Sequence, residues 1–224
     1  MPQQTSKRIF FYFFLLFMVG SINNISLKNI NFYTIKNIYV SGLDEDNNKK
    51  VLNDVKNLNL ENIFLVNKNG IDKLFNENSL IEDYDIFKIY PSTIHINIKK
   101  TDFLAKINVE GKMFLLGSNA KLSTNNNINL NYLPFIFGKL NVNEFFKLKK
   151  IIDNSKFSYE QIENLYFYPS KRWDLQFKDY VLLKLPKNVT TISLDHVFEF
   201  LKNKEVTKNS VVDIRINNQI ILNE

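Results

Sequence analysis

The stretch IFKIYPSTIHINIKK, Ile86 to Lys100, decides the fold. Tyr84, Ile86 and Lys88 alternate with Phe87 and Ile89, and Tyr90-Pro91-Ser92-Thr93 supplies a tight turn. Beyond the turn Ile94, Ile96 and Ile98 share one face of a strand, with His95, Asn97 and Lys99 on the other. The stretch is therefore a hairpin with one greasy face, and it needs something to cover that face.

The cover lies upstream. Ile35 to Val40 reads as a short strand ended by Ser41-Gly42. Asp44 or Asp46 then caps a helix that places Val51, Leu52, Val55 and Leu58 on one side. Ile63 to Val66 leads through Asn67-Lys68-Asn69 into a second helix carrying Ile71, Leu74 and Phe75. The order is strand, helix, helix, strand, strand, in which two helices cover one face of a three-stranded sheet.

Downstream of Lys100 the pattern changes. Phe103–Val109, Met113–Leu116, Leu165–Tyr168, Trp173–Phe177, Val181–Leu185, Val211–Ile216 and Gln219–Leu222 read as strands. Asn143–Asp153 and Ser193–Lys202 read as helices between them. A mostly antiparallel second domain is expected, with its boundary near Thr101.

At the N-terminus Lys7 and Arg8 precede Ile9 to Val19, IFFYFFLLFMV, a run without charge. Insertion of its Leu, Ile, Phe and Val residues supplies roughly 3–6 kcal/mol. The expected element is a single transmembrane anchor over residues 9–26, with the basic pair keeping the N-terminus inside. The competing reading is a signal peptide cleaved near Val19-Gly20-Ser21.

With 224 residues, 45% of them hydrophobic, the chain can bury one or two cores. The absence of cysteine excludes disulfide scaffolds and thiolate chemistry. The net charge is +6; Lys7, Arg8 and Lys28 precede residue 34 without any acid, which leaves 26 of the 29 bases against 23 acids. That dispersed surface does not read as a nucleic-acid face. His95 and His196 are far apart, with no HExxH or G-x-S-x-G pattern and no phosphate-binding glycine loop. Asp44, Glu45 and Asp46 lack the rest of a calcium loop and read as helix-capping acids. No enzyme, cofactor, metal or small-molecule substrate is expected.

The anchor, the strand–helix–helix–strand–strand order and the Tyr-Pro turn together resemble a POTRA domain. FLAKI (Phe103 to Ile107), GKMFLL, YLPFIFG (Tyr132 to Gly138), RWDLQFKDYVLLKLP (Arg172 to Pro186) and VVDIRINNQIIL (Val211 to Leu222) follow in an order similar to that of the bacterial cell-division family FtsQ/DivIB, most like its alphaproteobacterial members. The resemblance implies an α+β chain: a cytoplasmic tail over 1–8, the anchor over 9–26, a linker over 27–33, a small POTRA domain over 34–101 and an FtsQ-type β domain over 102–224. It also implies a non-enzymatic scaffold of the bacterial divisome in the inner membrane at the division septum. The N-terminus would be cytoplasmic and both domains periplasmic. It would bind FtsB-like and FtsL-like subunits and help recruit or regulate septal cell-wall synthesis. The alternatives are a POTRA-bearing protein of outer-membrane assembly or secretion, and a cleaved periplasmic protein.

In that family the partner's tail adds a strand to the last strand of the β domain, a mode that suits the unpaired groups of a sheet edge. The matching positions are Arg215, Ile216, Asn217, Asn218, Gln219, Ile220, Ile221 and Leu222. Arg215 is expected to meet a partner carboxylate and Ile216 to give an apolar contact, while alternation turns Ile220 and Leu222 toward the core. Trp173 reads as a core anchor. Asp179-Tyr180 stands where the family carries Asn-Gly, so a positive backbone angle would be costly for Tyr180 and a longer loop is expected there.

Overall fold

The computed structural model describes residues 3–22, 34–66, 68–124, 132–203, 209–216 and 219–223. The chain divides into two compact units, Met1–Phe75 with Tyr84–Ile98, and Asn76–Asp83 with Lys99–Glu224.

The first unit begins with helix α1 (Gln3–Ile22). Every side chain from Ile9 to Val19 is exposed, from 45% at Leu15 to 76% at Phe10. Among the described residues no helix is long and apolar enough to cross a membrane. The expected anchor runs on past Ile22 to residue 26, outside the described residues.

Strand β1 (Asn37–Ser41), helices α2 (Glu45–Asn57) and α3 (Lys68–Glu77), and strands β2 (Ile81–Ile89) and β3 (Thr93–Lys100) follow in the expected order. The sheet order is β1-β3-β2, and β1 runs parallel to β3 with Ile38 opposite Ile94 and Val40 opposite Ile96. Asp44 caps α2, its carboxylate accepting from the backbone N–H of Asn47. Ile94, Ile96 and Ile98 of β3, Val51 and Val55 of α2, and Ile71 and Phe75 of α3 are all buried, which is the two-helix cover the hairpin demanded. Gly42 is required where β1 ends: its φ is +111°, and a Cβ there would stand 1.8 Å from the Ile98 carbonyl oxygen.

The second unit holds β4 (Phe103–Val109), β5 (Lys112–Gly117), β6 (Leu122–Ser123), β7 (Phe135–Phe137), α4 (Val142–Asp153), a 3₁₀ turn (Tyr159–Gln161), β8 (Ile162–Phe167), β9 (Trp173–Phe177), β10 (Leu182–Lys184), α5 (Thr191–Asn203), β11 (Val211–Asp213) and β12 (Ile221–Asn223). Its strands form one sheet in the order β12-β11-β10-β9-β8-β7-β4-β5-β6. The sheet is mixed. Parallel pairs β7–β8 and β10–β11 are each joined through a helix, α4 and α5 respectively, which makes two strand–helix–strand crossovers. The β4–β7 pair is parallel as well.

One residue of register separates the two faces of this sheet. Ile136, Leu165, Leu175, Leu183, Val212 and Leu222 lie side by side across β7 to β12. The first five are at most 1% exposed and, with Leu222 at their margin, share a core with Phe145, Leu148 and Ile152 of α4 and Leu194 and Val197 of α5. The next row, Phe137, Tyr166, Asp174, Lys184, Asp213 and Ile221, occupies the other face. Trp173 is 5% exposed and stands edge-on to Phe145 and against Phe167, a core residue as expected.

The β9–β10 turn corrects an expectation in part. Tyr180 takes φ +69° in a tight turn closed by Phe177 N to Val181 O at 2.9 Å and Tyr180 N to Phe177 O at 2.9 Å. The loop is one residue longer than an Asn-Gly turn, as expected, but Tyr180 still takes the left-handed conformation, because a three-residue loop ending in that conformation fits the strand twist. The Asp179 carboxylate accepts from Val181 N at 3.2 Å and steadies the bend.

The sheet edge at the C-terminus as candidate functional site

β12 is the end strand of the nine-stranded sheet, paired on one side with β11: Val212 stands opposite Leu222 and Asp213 opposite Ile221. Among the described residues nothing pairs with its other side. Alternation decides what that strand offers. Ile220 and Leu222 pack against the core, whereas Ile221 is 40% exposed on the helix-free face.

β11 stops at Asp213, three residues before the sequence pattern ends. The Asp213 carboxylate turns back and accepts from the backbone N–H of Arg215 at 3.0 Å, a local bond that competes with the ladder. The same carboxylate holds the Arg215 guanidinium, with Nε 2.9 Å from Oδ1 and 2.8 Å from Oδ2 and an Nη2 bond to Oδ2. These bonds hold the Asp213 carboxyl below the usual aspartate range and push the Arg215 guanidinium up. Arg215 is thus fixed in place by its own neighbour, its Nη1 group bonded to none of the described residues.

After Arg215 the chain turns, Gln219 N donating to Ile216 O at 3.2 Å, and Ile216 is left 54% exposed. Asn217 and Asn218 lie outside the described residues. Ile216, Gln219 and Ile220 line a groove of about 570 Å³ together with Ile214, Pro186, Asn188, Thr190 and the first turns of α5, where Ser193, His196 and Val197 face it. The groove offers an apolar floor and a hydroxyl, amide and imidazole rim directly beside the free strand.

Behind Arg215, Lys184 sits in the cross-strand row between Asp174 and Asp213. Asp174 is only 3% exposed and its Oδ1 has no hydrogen-bond partner among the described residues. Burial pushes its carboxyl up, against the opposing pull of a Tyr168 hydrogen bond and of Arg172, Lys184 and Arg215. Tyr166 and Asn164 both donate to Gln176 Oε1 at 2.9 Å in the same face.

The sequence brought Arg215, Ile216 and the last strand to one place but missed the groove and the clamp. The spacing Asp-Ile-Arg puts Asp213 and Arg215 on one face and signals their pairing. The α5 contribution carries no such local signal, since only the β10–α5–β11 crossover brings His196 near Ile216. Elsewhere, Ser41 Oγ lies 2.9 Å from His95 Nε2 on the first unit's sheet. Among the described residues no group of three or more His, Asp or Glu side chains is placed to hold a metal.

A comparison with curated proteins found no match. Residues 33–100 match the family model described as POTRA domain, FtsQ-type. That span covers β1 through β3, the elements built around the opening hairpin. Residues 33–100 are therefore a POTRA domain of the FtsQ type.

Proposed function

We propose that the chain is a non-enzymatic, single-pass scaffold of the divisome, anchored in the inner membrane by residues 9–26 with both domains in the periplasm. The FtsQ-type domain supports the cell-division setting. The observation that carries the binding role is the free side of β12 beside the Ile216–Ile220 groove. An extended tail of an FtsB-like subunit adds a strand there, its main chain pairing with β12 and its apolar side chains entering the groove. Arg215, pre-positioned by Asp213, donates to a carboxylate of that tail. Asn217 to Leu222 complete the strand contact. An FtsL-like subunit arrives with the same assembly, and the scaffold thereby recruits or regulates septal cell-wall synthesis. The eleven exposed apolar residues of α1 support the anchor, because a chain has no reason to leave such a surface in water.

Co-purification of the full chain with the FtsB-like and FtsL-like subunits of the same organism tests this reading. Retention of both is expected. Loss of both from a folded, membrane-extracted chain would overturn it.

A further inference from the structure

The POTRA domain carries an exposed apolar cluster that the partner site does not use. Phe64 and Leu65 form the apex of a turn, Leu65 N donating to Asn62 O at 3.2 Å, and are 59% and 77% exposed. Phe64 stacks on Tyr90 at 5.3 Å between ring centres, and Tyr90 and Ile89 are 58% and 52% exposed at the β2–β3 turn. Lys88 Nζ reaches the Phe64 carbonyl at 3.3 Å.

This cluster lies where the chain enters the domain. Thr34 bridges Asn62, Ile35 N donates to Glu61 O at 3.1 Å, and Lys36 N donates to Ser92 O at 2.8 Å. Residues 23–33 alone join Ile22 of α1 to Thr34, a reach of at most about 40 Å. Charge is sorted along the domain as well. Lys88 bonds the Phe64 carbonyl and Lys36 enters beside Ser92 at this end, where Glu61 also lies. Asp44, Glu45 and Asp46 cap α2 beyond the far end of β1. Aromatic and aliphatic side chains flanked by Lys88 and Lys36 suit the headgroup boundary of an anionic bilayer, where apolar groups enter about 5–10 Å.

We infer that the Phe64-Leu65-Ile89-Tyr90 tip of the POTRA domain rests on the lipid surface into which α1 inserts. The inference depends on the membrane anchor proposed above. It gives the domain a second, shallow attachment that limits its tilt on the linker.

The chain has no cysteine, so single labels are unambiguous. The full chain is reconstituted in vesicles of phosphatidylethanolamine and phosphatidylglycerol containing doxyl-labelled lipid. A nitrobenzoxadiazole label is placed in turn through Phe13→Cys, Leu65→Cys and Asp46→Cys. The expected result is quenching at 13 and 65 but not at 46, with the headgroup-proximal quencher more effective than the deep one at 65. Quenching at 13 without quenching at 65 overturns the tip contact and leaves the anchor standing. No quenching at 13 removes the anchor, and the tip contact with it. A label at 65 shielded from water in proportion to protein density, without lipid quenching, assigns the tip to a second copy and overturns the inference.

Discussion

Asp213 and Arg215, two residues apart at the end of β11, hold each other through two bonds at Nε and one at Nη2 while Asp213 also takes the Arg215 backbone N–H. The arrangement ends the strand and fixes a cation beside the open edge of the sheet. A lysine cannot reproduce the fork. Arg215→Lys is therefore expected to weaken binding of the FtsB-like tail nearly as much as Arg215→Ala, with unchanged circular dichroism in both. Full binding by Arg215→Lys would show that only the charge matters. The Asp213 carboxyl titrates below its ordinary value of about 3.9. A depressed folded value means that the clamp's contribution is fully present above the ordinary value and is lost as pH falls through the lowered one.

Asp174 obeys the opposite sign. Its carboxyl is raised by burial, so the cost of ionising it in the fold builds up as pH rises through the ordinary value of about 3.9 and is complete above the raised one. Asp174→Asn is expected to raise the melting temperature near neutral pH. The gain shrinks as pH approaches and passes below about 3.9, where the unfolded chain is protonated too. A lower melting temperature for the variant at neutral pH would mean that Lys184 and Arg172 compensate the buried charge in full.

Ile216 is 54% exposed and lines the groove, so Ile216→Asp costs the fold little. Its effect falls on binding, where a charge replaces an apolar contact. We expect at least a ~10-fold loss of affinity for the FtsB-like tail, equivalent to about 1.4 kcal/mol, measured by isothermal titration calorimetry. Unchanged affinity would move the contact away from this turn.

Ile96 is fully buried in the centre of the POTRA sheet. Ile96→Asp buries a charge with no partner, which costs several kcal/mol and removes cooperative melting of that unit. The milder Ile96→Ala costs about 2–5 kcal/mol. Denaturant titration reads both, and a variant as stable as the parent would contradict the two-helix cover.

Tyr180 pays for its left-handed backbone, φ +69°, by roughly 1–2 kcal/mol. Its ring is 55% exposed, so little packing is lost on replacement. Tyr180→Gly is expected to raise the melting temperature, as read by differential scanning calorimetry. A lower melting temperature would assign the ring a packing role larger than its exposure implies.

The hairpin from Ile86 to Lys100 was legible because one period-two apolar face and one proline turn specify it without reference to the rest of the chain. Trp173–Phe177 and Phe103–Val109 were legible for the same reason. The three-residue β7 and the two-residue β6 were not, since alternation has no meaning over so short a run. Nor were the parallel pairs of β7–β8 and β10–β11, which are set by crossovers rather than by neighbouring residues. Nothing in the sequence marks Asp174 as buried, since its neighbours in the cross-strand row come from other strands. That the last alternating strand is a sheet edge was legible, and it is there that docking is proposed. The groove beside it was not, because Ser193, His196 and Val197 reach it from α5.

The central claim is that a partner strand docks on the outer side of β12, and site-directed disulfide trapping tests it most directly. Ile221→Cys in the otherwise cysteine-free full chain is paired with single cysteines stepped along the extracytoplasmic tail of the FtsB-like subunit. Asp46→Cys serves as the remote control. The account predicts cross-links from position 221 at alternate tail residues and none from position 46. Co-purification of the partner without any cross-link at position 221 would contradict it.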